Sequence, residues 1–341
     1  MSLKVALLGD TMLGRGVGRV LAGEPPASVV APEVVEAARE ADLAVANLEC
    51  CISERGEPWP DPGKPFFFRA PPAAVEVLSL LGVGCVTLAN NHALDYGEQA
   101  LLDTFAHLDA AGIAWAGAGP DEERAREPVV LEHGGFKLAV AGVSDHPREY
   151  AAGSRRPGIA HADLGGELPE WLRDAIATAG ADAVLVAPHW GPNMAPAPVP
   201  RVLAAAAALV EAGATLVAGH SAHVFHGVAW PVLYDLGDFL DDYAVHPVLR
   251  NDLGLLFLVT LDAEGPLRLE AVPLQLEYAY TRPAEGDEAD WIRRRFVRAC
   301  SELGTEASVE SGRVVVTWSR TPAAATPQRP PREHRWRRVG R

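Results

Sequence analysis

The sequence predicts an α/β protein whose later part turns to β structure, giving a two-sheet core with helices outside. Two observations carry this. Strand-like and helix-like segments alternate up to residue 218, and beyond residue 228 apolar runs of strand length take over from helices. A third observation concerns chemistry: five of the expected strands run into a side chain able to hold a cation or move a proton. Open α/β sheets place their ligand sites at such strand ends.

Taken in order, the apolar run at residues 5–8 is a strand ending at Gly9-Asp10. Residues 32–41 form a helix with Pro32 in its first turn, where a missing N–H costs nothing. Residues 43–46 are a strand ending at Asn47-Leu48-Glu49. A Pro- and Gly-rich loop at 56–64 precedes a short strand at 66–68, and a helix at 71–81 is closed by Gly82. Residues 83–88 are a buried strand, and helical periodicity then runs over 96–110 through Leu101, Leu102, Phe105 and Leu108. Residues 113–116 are a strand, and 129–131 pairs with 137–143 through the Gly134-Gly135 turn. A helix at 169–179, a strand at 183–187 ending at His189-Trp190-Gly191, a helix at 199–212 and a strand at 215–218 ending at His220-Ser221-Ala222-His223 complete the alternation. Strands at 232–236, 255–261 and 267–274 follow, then a basic amphipathic helix at 290–303 and a last strand at 313–318. The expected organisation is a body over residues 1–275, a helix and strand over 276–320 packing on it, and a flexible Pro- and Arg-rich tail over 321–341.

An apolar fraction of 48% and a charged fraction of 22% are those of a soluble globular chain. The net charge of −15 argues against a nucleic-acid backbone or an anionic membrane surface as partner. It leaves an anionic substrate open if cations supply local positive charge. Four cysteines, with Cys50 and Cys51 adjacent, make no secreted disulfide pattern and read as small buried apolar residues in a reducing compartment. Met1-Ser2-Leu3-Lys4 leads straight into the first strand, and no run approaches the roughly 20 apolar residues that cross a bilayer. A cytoplasmic protein without a membrane partner is expected.

The chemistry centres on Ala89-Asn90-Asn91-His92-Ala93-Leu94-Asp95, which follows the buried strand. An amide carbonyl ligates a metal without adding charge, and an imidazole moves protons near neutral pH. Asp10, Glu49, Asn91 with His92, His189, and His220 with His223 occupy the five strand ends. Carboxylate, imidazole and amide oxygen suit Mn, Fe, Zn, Mg or Ca, and the lack of nearby thiolates argues against structural zinc. The set is large enough for one or two divalent ions. Singly, Asp10 also reads as a helix N-cap and Asn91-His92 as a capped turn. Their recurrence at five strand ends favours a site.

Gly9-Asp10-Thr11-Met12-Leu13-Gly14-Arg15, Asn47-Leu48-Glu49, Asn90-Asn91-His92 with Asp95 and Gly97, His189-Trp190-Gly191 and Gly219-His220-Ser221-Ala222-His223 come in an order that resembles the bacterial CapA proteins, over about residues 3 to 260. That family is associated with capsule and poly-γ-glutamate synthesis and has the fold of calcineurin-like metallophosphoesterases. The resemblance implies a four-layer αββα sandwich and makes Asp10, Glu49, Asn91, His189, His220 and His223 the metal ligands. Glu49 stands where those enzymes place a bridging carboxylate. His92 becomes the proton donor to a leaving group, oriented by Asp95, with Arg15, Asn90 and Trp190 at the substrate. Met12 occupies the histidine position of the usual Asp-x-His motif, which leaves the first metal site one ligand poorer. Asn193 replaces an acidic residue often found after His-Trp-Gly.

The leading functional expectation is metal-dependent hydrolysis of a phosphoester or of an amide or peptide-like bond by activated water. Peptide epimerisation and non-catalytic binding of an anionic polymer are the alternatives. The partner is a small molecule, a peptide or an anionic polymer. Arg15 also reads as an ordinary surface charge or carboxylate partner, His226 as a residue orienting a ligand, and His146 and Arg148 as either pocket mouth or surface loop. Asp238, Asp241 and Asp242 read as a solvated acidic loop, and Arg293, Arg294, Arg295 and Arg298 as a solvated helix face.

Overall fold

A computed structural model describes residues 1–318. The chain is a mixed α/β protein with two main sheets. The larger has ten strands. From one edge it runs Ser308–Glu310, Arg313–Thr317, Gly265–Glu277, Leu253–Asp262, Leu3–Thr11, Leu43–Leu48, Val83–Thr87 and Ala114–Ala116. Tyr280–Pro283 adds to Gly265–Glu277, and Asp238–Leu240 adds to Leu3–Thr11. The smaller sheet has six strands, in the order Val228–Ala229, Val232–Leu233, Leu216–Ala218, Ala183–His189, Phe136–Ser144 and Val129–His133.

Side-chain alternation explains how the sheets are covered. In the first strand Leu3, Val5 and Leu7 belong to one apolar cluster with Phe136, Leu138, Val140 and Leu185 of the smaller sheet. Ala6 and Leu8 point the other way, into a cluster with Val34, Leu78 and Leu101, which lie on the helices Pro32–Ala38, Ala74–Leu80 and Gly97–Ala110. On the smaller sheet Val184 and Val186 meet Leu172, Ile176, Val202 and Leu209 of the helices Glu170–Ala177 and Pro200–Glu211. This is the period-two division of strands buried on both faces. Each fully buried Leu or Val contributes about 1.5–3 kcal/mol.

The hairpin expected at Gly134-Gly135 forms in register, with His133 opposite Phe136. Both glycines have positive φ, 57° and 82°, as a two-residue turn between twisted strands requires. The strand expected at 66–68 does not form. Its place is taken by Arg69–Ala70, which pairs with Cys51–Ile52. The C-terminal helix Gly286–Glu302 buries Ile292, Phe296 and Cys300 against Phe257, Leu269 and Val314. All four cysteines are free and buried. No helix among the described residues is long and apolar enough to cross a membrane. The tail expected over 321–341 lies outside the described residues.

What positions the site is strand direction. Leu3–Thr11, Leu43–Leu48 and Val83–Thr87 are parallel in the larger sheet, and Phe136–Ser144, Ala183–His189, Leu216–Ala218 and Val232–Leu233 are parallel in the smaller one. All their polar ends therefore fall at the carboxyl edge of a sheet.

Candidate metal centre and its histidine

The first strand changes partner as it reaches the site. Residues Leu3 to Leu7 pair with Leu253–Asp262, while Asp10 and Thr11 pair in parallel with Asp238 and Leu240. The Asp10 N–H donates to the Gly237 carbonyl at 2.9 Å. That approach requires glycine at position 9, since a Cβ there would stand 1.9 Å from the Gly237 oxygen. The chain that leaves the smaller sheet at Leu233 thus crosses to the larger one and delivers Asp238 beside Asp10.

Asp10, Glu49, His223 and Asp238 each offer a ligand atom within 4.8 Å of the others, and all four are buried. His223 Nδ1 lies 2.8 Å from Asp238 Oδ1 and 3.4 Å from Asp10 Oδ2. His220 Nδ1 lies 2.9 Å from Asp10 Oδ1, to which the Asn47 amide also donates at 2.7 Å. Neither carboxylate oxygen of Glu49 has a hydrogen-bond partner, nor does Asp238 Oδ2. Unpartnered carboxylate oxygens in a buried site are costly unless positive charge is supplied. Burial, with the charge of Asp10, pushes the Glu49 carboxyl well above its usual range. Burial, with Asp241 and Asp10, does the same to Asp238. Burial would also raise Asp10, but the hydrogen bond and charge of His220, with His223 and His189, hold it below the usual carboxylate range. Burial works to lower His223, yet Glu49 and Asp10 raise it on balance. Orphaned hard oxygens beside an imidazole form a donor set that fits a divalent cation.

Next to this cluster His92 forms a dyad with Asp95. Its Nδ1 is 2.6 Å from Asp95 Oδ2, and its Nε2 is 3.9 Å from Glu49 Oε1. Asp95 also accepts from the Phe68 N–H at 2.6 Å, Lys64 Nζ at 3.0 Å and the Tyr150 hydroxyl at 3.2 Å. A carboxylate surrounded by donors acts as acceptor, so the His92 proton sits on Nδ1 and Nε2 presents a lone pair toward Glu49. Burial, opposed by Asp95, takes the imidazole down to about 4, so it is neutral near pH 7. The Phe68 ring lies 4.1 Å from the imidazole centroid and fixes the ring from one face.

The other expected residues fall into two groups. His189 and His220 stand on bridged neighbouring segments, and His189 Nδ1 and Asn91 Oδ1 are buried without partners. Burial keeps His189 well below its ordinary value. Asn90 and Trp190, expected at substrate, are engaged by the protein instead. The Asn90 amide donates to Asn47 Oδ1 and the Leu48 carbonyl, while its Oδ1 accepts the His92 N–H. The buried Trp190 indole donates to the Tyr234 carbonyl at 3.0 Å. Arg15 sits with Nε 3.3 Å from Asp242 and its guanidinium 5.3 and 5.4 Å from the Phe66 and Phe68 ring centroids. His226 is buried and donates from Nε2 to the Ala195 carbonyl at 2.9 Å. His146 is half-buried, pairs with Asp145 and lies 5.3 Å from the His189 ring.

The solvated acidic loop is corrected. Asp238, Asp241 and Asp242 are all buried, Asp238 in the cluster, Asp241 capping the Tyr243 N–H and Asp242 accepting the Gly16 N–H. The basic helix face is corrected at one position: the Arg295 guanidinium stacks 4.8 Å from Phe225 and 5.1 Å from Trp291. What marks Asp238 as part of the centre is its parallel pairing with Asp10, which local sequence does not show.

With this geometry in hand, residues 4–243 match the family described as bacterial capsule synthesis protein PGA_cap. The chain belongs to that family. A probable polyglutamine synthesis accessory protein of Mycobacterium tuberculosis is 34% identical over 286 residues, 77% of this chain and 73% of the relative. The PGA biosynthesis protein CapA of Bacillus subtilis is 27% identical over 293 residues, 84% of this chain and 74% of the relative. The capsule biosynthesis protein CapA of Bacillus anthracis is 28% identical over 295 residues, 82% and 69% of the two chains. The PGA_cap match takes in every residue of the cluster, from Asp10 to Asp238.

Proposed function

We propose that this PGA_cap protein is a metal-dependent hydrolase that cleaves an amide or phosphoester bond in an anionic substrate of poly-γ-glutamate or capsule metabolism. One observation carries the reading: both oxygens of buried Glu49 are unpartnered, facing Asp10, His223 and Asp238 on one side and His92 on the other. The three apolar clusters, one between the sheets and one on each outer face, support a four-layer αββα arrangement that exposes both sets of strand ends on one edge.

In this reading Asp10, Glu49, His223 and Asp238 hold the cation. When bound, a divalent cation supplies Lewis acidity and makes water a nucleophile near neutral pH. Asp95 keeps the His92 proton on Nδ1, so neutral His92 accepts a proton at Nε2 from the attacking water and returns it to the leaving atom. Phe68 and the dyad hold that nitrogen toward Glu49. His189 and Asn91 supply further uncommitted donors near the strand ends.

The test is elemental analysis of purified wild type and Glu49→Ala, followed by turnover of an aryl phosphate and a γ-glutamyl anilide with added Mn or Zn. At least one ion per wild-type chain, lost in the variant, and a drop of about 100-fold or more on His92→Ala agree with the reading. A wild type that binds no added cation, or turnover indifferent to His92, refutes it. One observation favours a non-catalytic, polymer-binding role as the second reading. Met12, in place of a histidine, is fully buried and turns its sulfur to the Gly14 N–H at 3.2 Å, giving the centre no ligand.

A further inference from the structure

Phe67 and Arg69, the neighbours of Phe68, line a cleft of about 460 Å³ that the mechanism above does not use. Three arginines line it, Arg15, Arg19 and Arg69, together with Phe67 and Tyr96. In a chain of net charge −15 such a concentration of positive charge is a local reversal. One carboxylate, Glu54, also lines the cleft. Arg15 is paired with Asp242, but Arg19 and Arg69 have no carboxylate partner among the described residues. Arg19 donates to the Tyr278 hydroxyl at 2.7 Å, and Arg69 donates to the Arg55 and Gly56 carbonyls at 3.2 Å. These neutral acceptors orient the guanidiniums without neutralising them. Arg69 is further fixed over Tyr96, 4.2 Å from its ring centroid.

The cleft is mechanically joined to the catalytic dyad. Phe68, whose N–H is held by Asp95, stacks on His92 and lies 5.4 Å from the Arg15 guanidinium. The next residue in the chain is Arg69. Phe67 and Arg69, on either side of Phe68, both line the cleft, so a ligand gripped there is separated from His92 by one buried ring.

We propose that this cleft is a subsite for the carboxylates of a glutamyl chain, holding the length of polymer next to the bond presented to His92. The inference rests on the reading above for the polymer's identity. Arginine forks match carboxylates bidentately, and Phe67 and Tyr96 offer apolar surface to the methylene stems between them. The cleft then selects for charge repeated along a chain, where the metal cluster alone selects for one oxygen.

The test is fluorescence anisotropy with a labelled poly-γ-glutamate oligomer in EDTA, so that binding is read without turnover. Wild type should bind, and Arg19→Gln and Arg69→Gln should each weaken binding about tenfold, with Arg69→Lys recovering part of the loss. Arg19 is exposed, so its variant keeps the fold if Arg69→Gln does not. Binding should also weaken with salt. Binding that is lost in an Arg294→Gln, Arg298→Gln protein and kept in Arg19→Gln would place the polymer on the other basic face and overturn the proposal. So would absence of binding, or displacement of the oligomer by inorganic polyphosphate at lower concentration than by unlabelled polyglutamate. A wild type that binds through Arg19 and Arg69 yet never turns over would sustain the subsite while removing the hydrolase reading.

Discussion

Removing divalent cation should make the protein's stability fall as pH rises from 6.5 to 8. The carboxyls of Glu49, Asp238 and Asp235 are all raised well above their ordinary range, each first by burial. In the unfolded chain these groups ionise near pH 4, so above that value the native state binds more protons, and stability is lost as pH climbs toward the folded-state values. His223, raised by Glu49 and Asp10 against burial, adds the same sign above its ordinary value. His92 and His189, lowered by burial, are neutral in the folded state but about half protonated in the unfolded chain at pH 6.5, so each opposes the trend by about 0.4 kcal/mol, nearly all of it below pH 7.5. Asp10, held low, is ionised in both. Each carboxyl loses at most about 1.4 kcal/mol per pH unit for as long as it keeps its proton in the native state, which sets an upper bound of about 2 kcal/mol per carboxyl over the window. At roughly 2 °C per kcal/mol for a chain of this size, the unfolding midpoint in EDTA should drop by up to about 4 °C per carboxyl, less about 2 °C for the two histidines. Saturating cation at about 100 times its Kd should add about 2.7 kcal/mol and flatten the pH profile. Differential scanning calorimetry on wild type and Glu49→Gln, with and without Mn, reads both effects. A midpoint in EDTA that rises between pH 6.5 and 8, or a Glu49→Gln protein that responds to Mn like wild type, would show the reasoning to be wrong.

Further outcomes follow from the same geometry. Asp238→Asn should lower cation affinity about as much as His223→Ala, measured by titration calorimetry, because both donate to one cluster; an unchanged affinity would remove Asp238 from the ligand set. Gly9→Ala should destabilise by several kcal/mol or abolish folding, because its Cβ meets the Gly237 carbonyl and that contact is backbone on both sides; a wild-type melting curve would contradict the strand crossing. Lys64→Met should lower kcat by about tenfold with little change in cation content, since Lys64 touches Asp95 and the Asn91 carbonyl but not the cluster.

The strand ends were legible because an apolar run that stops at a polar residue has few other readings. Asp10, Glu49, His220 and His223 needed no pairing information to be noticed. Asp238 did. Its neighbours Asp235, Asp241 and Asp242 make the segment look like a solvated loop, and only the parallel pairing with Asp10 and Thr11 shows that it is a buried strand. Asn90 and Trp190 pose the opposite difficulty. They sit inside chemically suggestive motifs, but whether an amide or an indole faces a ligand or a backbone carbonyl depends on contacts distant in sequence, here Asn47 and Tyr234. The cleft arginines escaped notice because Arg19 and Arg69 belong to separate elements, the helix Arg15–Leu21 and the strand Arg69–Ala70, which meet only in three dimensions.

The crossing from the smaller sheet to Asp238–Leu240 also sets a timetable. During synthesis the strand Leu3–Thr11 emerges first, yet the edge beside Asp10 stays open until residue 240 has been made. At 5–20 residues per second that interval is on the order of ten seconds or longer. A ribosome-bound chain shorter than this carries Asp10 and Glu49 without Asp238, and it also displays an unpaired β edge to its surroundings. Premature termination anywhere before Leu240 therefore yields a fragment with an incomplete centre, and the rest of the same edge, Leu3 to Leu7, stays open until Leu253–Asp262 follows, so the site is complete before the sheet that carries it is closed.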